Sequence, residues 1–176
     1  MKKLFYLSPM VLVLSLVFLW NVPLTHAASH LLKNIPQPYT QAGPASCQIN
    51  GAYPDLSCTP GNVFSSVTTD QVCTPGYAGS VRNVPQSVKD EVYAEYGITS
   101  HSSGQYQIDH FVPLELGGSN DISNLWPEPA LPQPGFHEKD KVENYLHSQV
   151  CSGSMILSDA QHAIATDWVA VYNRMP

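Results

Sequence analysis

Positive charge is scarce in this sequence. Its 176 residues carry 8 Lys and Arg against 14 Asp and Glu, and charged residues make up only 12% of the chain. A surface with that balance repels nucleic acid and anionic membranes at long range, so polyanion binding would have to come from a local arrangement. Cysteine is limited to four positions, none spaced as Cys-x-x-Cys, which removes the usual frame of a structural zinc site. Composition also excludes collagen, coiled coil and a multi-span membrane protein. What is present argues for a globular chain. Apolar residues reach 43%, with 9 Tyr and 3 Trp, which is too much burial potential for simple disorder. The 15 Pro and 11 Gly predict a loop-rich fold, and the length suits one domain.

Residues 1–27 read as a secretory signal peptide. Lys2 and Lys3 make a cationic start, an apolar run from Leu4 to Trp20 follows, and Thr25-His26-Ala27 ends the segment with small residues where a signal peptidase reads. An uncleaved membrane anchor is the competing reading; Pro9 within the run favours removal. No cysteine stands at the cleavage point, so lipidation is not indicated. Removal leaves a net charge of about −8 and a secreted or periplasmic protein without stable membrane association.

In an exported chain the even set Cys47, Cys58, Cys73 and Cys151 predicts disulfides. Two of them open the same tetrapeptide, Cys58-Thr59-Pro60-Gly61 and Cys73-Thr74-Pro75-Gly76, read as Cys-anchored turns or a degenerate repeat. If all four pair internally, Cys151 must bond a cysteine at or before position 73, which staples the two halves of the chain together.

Residues 28–46 are polar and Pro-containing and read as a tether; residues 47–176 form the single domain. Residues 47–85 read as turns and short extended pieces. A helix is predicted over 86–96, with Val88, Val92 and Tyr96 four apart. An extended stretch over 105–116 ends at Gly117-Gly118, and a second short strand over 124–126 is expected to stop at Pro127 and Pro129. Two helices close the chain. The first, over 136–150, has Val142, Tyr145, Leu146 and Val150 on one stripe. The second, over 159–173, has Ser158 and Gln161 as a capping box, with Ala160, Ala163, Ile164, Trp168, Val171 and Tyr172 facing inward.

The chemistry concentrates between Tyr106 and Trp126. Asp109 and His110 stand side by side within an apolar strand, where a carboxylate and an imidazole need partners. The Gly pair returns Asn124 on the second strand, and His137 opens the following helix, so strand, turn, strand and helix would gather Asp109, His110, Asn124 and His137.

The pattern Asp109-His110-x-x-Pro113-Leu114, Gly117-Gly118, Asn120-Asp121-x-x-Asn124-Leu125 and then His137 resembles the HNH, or ββα-metal, nucleases. It is most similar to exported bacterial members with Leu-Trp-Pro-Glu-Pro after the Asn, here Leu125–Pro129. The motif covers residues 109–141, with a looser likeness over 58–172 that includes the Cys-Thr-Pro-Gly turns. The resemblance implies an α+β fold: a small ββα-metal motif packed with additional helices and a loop-rich, disulfide-linked N-terminal part. It implies an exported, metal-dependent endonuclease that hydrolyses DNA or RNA with low sequence specificity. His110 would be the general base, Asn124 would hold the His110 loop, and Asp109 and His137 would bind Mg²⁺ or Mn²⁺, with Zn²⁺ a further option. The only nearby cations are Arg82, Lys89, Lys139 and Lys141; Arg82 and Lys141 are the candidates for phosphate contact, and Lys141 equally reads as a solvated helix lysine. Glu115 reads either as a salt-bridge partner or as a support for the metal ligands. Trp126 reads as core, and His30, His101, His147 and His162 as bystanders. The rival reading is a non-catalytic, disulfide-stabilised HNH-like domain that binds a protein or cell-envelope partner; the negative charge favours it.

Overall fold

Gly117 and Gly118 reverse the chain, each for its own reason. Gly117 has φ +80°, a left-handed conformation that residues with a Cβ rarely adopt. At Gly118 the constraint is contact: a Cβ would stand 1.7 Å from the Val112 carbonyl oxygen and 2.9 Å from Asn124 Nδ2. This turn lies between strand β1 (Tyr106–His110) and strand β2 (Leu125–Pro129), which pair antiparallel with Tyr106 opposite Pro129 and His110 opposite Leu125. The computed structural model describes residues 47–176. The signal-peptide and tether readings, over 1–46, lie outside the described residues.

Helix α1 spans Thr69–Val72, α2 Tyr77–Val81, α3 Gln86–Glu95, α4 Phe136–Cys151 and α5 Leu157–Tyr172. The architecture is thus mixed α and β, a two-stranded antiparallel sheet with helices, and the order β1, β2, α4 follows the predicted strand–strand–helix sequence. Helix α3 lies against β2, and α4 packs along α5. The core is continuous. It takes Val92 and Tyr96 from the α3 end, Phe111, Val112 and Leu116 from the loop after β1, Leu125 and Trp126 from β2, and Val142, Leu146 and Val150 from α4. Helix α5 adds Ala160, Ile164, Trp168 and Val171, and the Trp168 indole N–H donates to the Ala52 carbonyl at 2.8 Å. Trp126 is fully buried.

Four local readings are corrected. The extended stretch over 105–116 keeps strand geometry only to His110, because the Val112 amide and carbonyl bond the Asn124 side chain instead of a neighbouring strand. Strand β2 runs through Pro127 and Pro129. The Ala130 amide donates to Gln105, so by strand alternation the even positions face β1 and both prolines direct their missing N–H away from it. The region 47–85 contains two short helices. Helix α1 is started by a capping box in which Thr68 Oγ1 accepts from the Gln71 amide at 3.3 Å and Gln71 Oε1 from the Thr68 amide at 2.9 Å. Helix α5 has no Ser158–Gln161 box: it begins at Leu157 after Ile156, and Gln161 instead donates to the Leu116 carbonyl at 2.8 Å. It also breaks at Asp167 (φ −160°, ψ 76°), whose Oδ1 accepts from the Ala170 amide and from the Tyr53 hydroxyl, capping the second segment from within.

Both disulfides form within the chain. Cys47 bonds Cys58, and Cys73, at the end of α1, bonds Cys151, the last residue of α4, as the pairing argument requires of Cys151. Two structural disulfides point to an oxidising compartment, extracellular or periplasmic. Among the described residues no helix is long and apolar enough to cross a membrane. The loops closed are unequal, 78 residues against 11. Chain entropy assigns about 4.5 kcal/mol to the long loop and about 3 kcal/mol to the short one. Replacing Cys73 and Cys151 together by Ser should therefore lower unfolding free energy more than replacing Cys47 and Cys58, as read by denaturant titration of the two double variants. Equal losses would refute the ranking.

Candidate functional site

The centre of the site is a lysine that sequence reading counted only as a nearby cation. Lys139, in the first turns of α4, is completely buried. An ammonium group has three protons. Here one goes to Asp109 Oδ2 at 2.6 Å, one to the His110 carbonyl at 2.9 Å and one to Glu143 Oε1, a turn further along α4. Glu128 of β2, also fully buried, approaches with Oε2 at 4.0 Å and receives none of the three.

That count fixes the protonation pattern. Burial pushes the Glu128 carboxyl well above the usual range, with Lys139 opposing and Asp109 adding to the rise. Neither Glu128 oxygen has a hydrogen-bond partner, which the neutral acid tolerates better than a buried carboxylate beside Asp109. Asp109 is held low. Its own burial works against ionisation, but the Lys139 ammonium at 2.6 Å outweighs it. Glu143 is raised, chiefly by burial, and Lys139 is raised by its carboxylate partners in spite of burial. The group is therefore an ionised Asp109–Lys139 pair beside carboxyls that hold on to protons.

His110 follows directly on β1. It is 3% exposed, and burial lowers its pKa, with Arg82 and Lys139 in the same direction; Asp109 and Asn120 oppose. The imidazole is thus neutral near pH 7, the form that can accept a proton. Its Nε2 meets Asn120 Oδ1 at 3.2 Å. The loop after it is pinned by Asn124, which is fully buried: Oδ1 accepts from the Val112 amide at 2.9 Å, and Nδ2 donates to the carbonyls of Val112 and Ser119, each at 2.9 Å.

Asp109 thus meets Lys139, His110 meets Asn120, and Asn124 holds the loop that follows them. His137 sits on the first turn of α4, exposed, its ring 4.3 Å from that of Phe136. Both His137 and Asp109 act on Asp140, whose carboxyl is raised mainly by burial and by Asp109 while Lys139 and His137 oppose. Arg82 is exposed and close enough to His110 to depress its pKa. Lys141 is bound elsewhere: it bridges Glu138 at 3.6 Å and lies 5.8 Å above the Tyr172 ring. Glu115 forms no salt bridge among the described residues; its Oε1 is sealed without a partner and its carboxyl is raised, first by burial.

For a divalent ion, Asp109 offers an ionised carboxylate whose Oδ1 has only a long 3.4 Å contact with the Gln107 amide, while Oδ2 belongs to Lys139. One free carboxylate oxygen suits a hard, water-rich ion such as Mg²⁺ and does not suit a closed protein cage. Among the described residues the one group of three His, Cys, Asp or Glu donors within 4.8 Å of one another is Cys73, His147 and Cys151. Its two sulfurs are bonded to each other, and His147 Nε2 lies 2.9 Å from the Val72 carbonyl.

Sequence reading gave Lys139, Glu128, Glu143 and Asn120 no role in the site, although Asn120 stands in the motif pattern and Glu128 in the Leu-Trp-Pro-Glu-Pro segment. The i, i+4 spacing of Lys139 and Glu143 was the available signal for one pair. Comparison with known proteins adds nothing to this geometry: no family model, no curated sequence and no solved structure matches the chain.

Two outcomes follow. Lys139→Met leaves the Asp109 carboxylate buried without its cation, so the expected loss is about 3–5 kcal/mol by urea unfolding; a loss under about 1 kcal/mol would contradict the central role of the ammonium. For Glu128 the native state keeps a proton that the unfolded chain releases above about pH 4.3. Native protein then binds more protons, so its contribution to stability falls as pH rises from there. Glu128→Gln should flatten the decline of Tm between about pH 5 and 8 in metal-free protein, measured by calorimetry. An unchanged slope would place that proton elsewhere.

Proposed function

We propose that this chain is an exported, metal-dependent endonuclease that hydrolyses phosphodiester bonds in DNA or RNA with low sequence specificity. The observation that carries the reading is His110: a neutral imidazole at the end of β1, its loop clamped by the buried Asn124, in a strand–strand–helix unit whose helix holds the neighbouring Asp109. The resemblance to the ββα-metal nucleases assigns the same residues to the same places.

In this reading His110 takes the proton of the attacking water, for which its pKa below the ordinary value keeps it free. Asn124 orients the His110 loop and does not react. Asp109 and His137 are the residues that would hold Mg²⁺ or Mn²⁺, which when bound supplies charge for the phosphate and the leaving oxygen. Lys139 acts at one remove by fixing the Asp109 carboxylate and the His110 backbone. Arg82, exposed and close enough to His110 for its charge to lower the imidazole pKa, would meet a phosphate; Lys141, engaged with Glu138, has the weaker claim. Few cations in an acidic chain imply weak, salt-sensitive and sequence-indifferent binding, as suits degradation of extracellular nucleic acid.

The test is incubation of the chain, freed of residues 1–27, with plasmid DNA and with RNA in Mg²⁺, in Mn²⁺ and in EDTA. Hydrolysis that EDTA abolishes is expected, with His110→Ala slower by about 10²–10⁴-fold at unchanged circular dichroism. A wild type inert with both ions on both substrates would overturn the reading in favour of a binding domain.

A further inference from the structure

We infer that Asn120 sets the tautomer of His110, holding the proton on Nε2 so that Nδ1 is the nitrogen left to act as base. This deepens the reading of His110 as general base and rests on it for its catalytic meaning.

The orientation of the Asn120 amide is decided twice over. The Asn83 backbone N–H can only donate, and it lies 3.1 Å from one end of the Asn120 side chain, which must therefore be the oxygen. The Val81 carbonyl can only accept, and it lies 2.8 Å from the other end, which must be the NH₂. A flipped amide would set oxygen against oxygen and N–H against N–H. The His110 Nε2 sits 3.2 Å from the end fixed as oxygen. An acceptor-only oxygen facing a ring nitrogen requires the nitrogen to donate, so Nε2 carries the hydrogen.

The other nitrogen is left open. Nδ1 has no hydrogen-bond partner among the described residues, and it does not belong to the sealed, unpartnered side-chain atoms, which are Glu115 Oε1, Trp126 Nε1 and the two Glu128 oxygens. Among the described residues its lone pair is therefore uncommitted. The water proton would move to the Nδ1 lone pair, making an imidazolium whose Nε2–H already has its acceptor.

The same amide has a second consequence. By gripping the backbone at Val81 and at Asn83 it fixes the main chain on both sides of Arg82, whose charge acts on the His110 ring. One side chain from the loop between β1 and β2 thus orients the base and fixes the backbone that carries the phosphate-binding candidate. Asn120 is a positioning residue, since it acts only through these two.

The experiment is a ¹⁵N–¹H long-range correlation spectrum of metal-free protein with ¹⁵N-labelled histidine at pH 8. The His110 signals are identified among those of the seven histidines by their loss in His110→Gln. A protonated, pyrrole-like nitrogen resonates far upfield of a bare, pyridine-like one, so the spectrum reads the tautomer directly. Wild type should show a pyrrole-like Nε2 and a pyridine-like Nδ1. Asn120→Ala should draw both shifts towards intermediate values as the two tautomers mix. In hydrolysis assays Asn120→Ala should lower kcat by about 10- to 100-fold, with a smaller change in KM. A pyrrole-like Nδ1 in wild type overturns the inference even if the Ala variant fails to fold, and so do unchanged shifts in a folded Ala variant. An inactive wild type with the proton on Nε2 would fail the nuclease reading while supporting the tautomer assignment.

Discussion

One buried ammonium holds the site together. Taking a lysine out of water costs several kcal/mol, and that cost is offset only when every proton finds a well-placed acceptor. Lys139 meets the condition with three acceptors from two elements: the Asp109 carboxylate and the His110 carbonyl on β1, and Glu143 on its own helix. Because one acceptor is the main chain of His110 itself, the ion pair fixes the backbone from which the imidazole projects. The consequences spread outward. Asp109 is ionised because Lys139 faces it, and Glu128 keeps its proton because it is buried beside Asp109, against the opposing pull of Lys139.

Two asparagines do for the loop between β1 and β2 what a strand ladder does elsewhere. After His110 the backbone leaves the sheet, and its polar groups need new partners in a dry interior. Asn124 supplies them for Val112 and Ser119, using its full set of donors and its carbonyl oxygen. The approach is so close that a methyl group at position 118 would collide with the Val112 carbonyl. Asn120 faces the other way, towards Val81, Asn83 and the imidazole. Neutral amides serve here because each end is committed to a partner of one kind, which gives the loop one arrangement.

The disulfides stand where the sheet does not reach. A two-stranded sheet offers little cross-linking, and the segment before α3 depends on turns and two short helices. Cys73–Cys151 ties the end of α1 to the end of α4, the helix that carries Lys139, while Cys47–Cys58 closes the loops packed near Trp168.

Much of this was legible in the linear order of residues. Apolar spacing located α3, α4 and α5, the even cysteine count predicted two disulfides with Cys151 joined to the N-terminal half, and adjacency in the motif grouped Asp109, His110 and Asn124. These are local properties: helical period, turn-forming glycines and residue type act over a few positions and leave a pattern in the sequence. Three-dimensional contact decided the rest. Nothing in the spacing distinguishes Lys139 from Lys141, yet one is buried among carboxylates and the other lies over Tyr172 in solvent. Glu128 between prolines and Asn120 in a Ser-Asn-Asp turn have surface-like neighbours in the chain. Their partners come from positions 10 to 39 residues away, so burial, protonation and amide orientation arise only when β1, β2, α4 and the end of α2 meet.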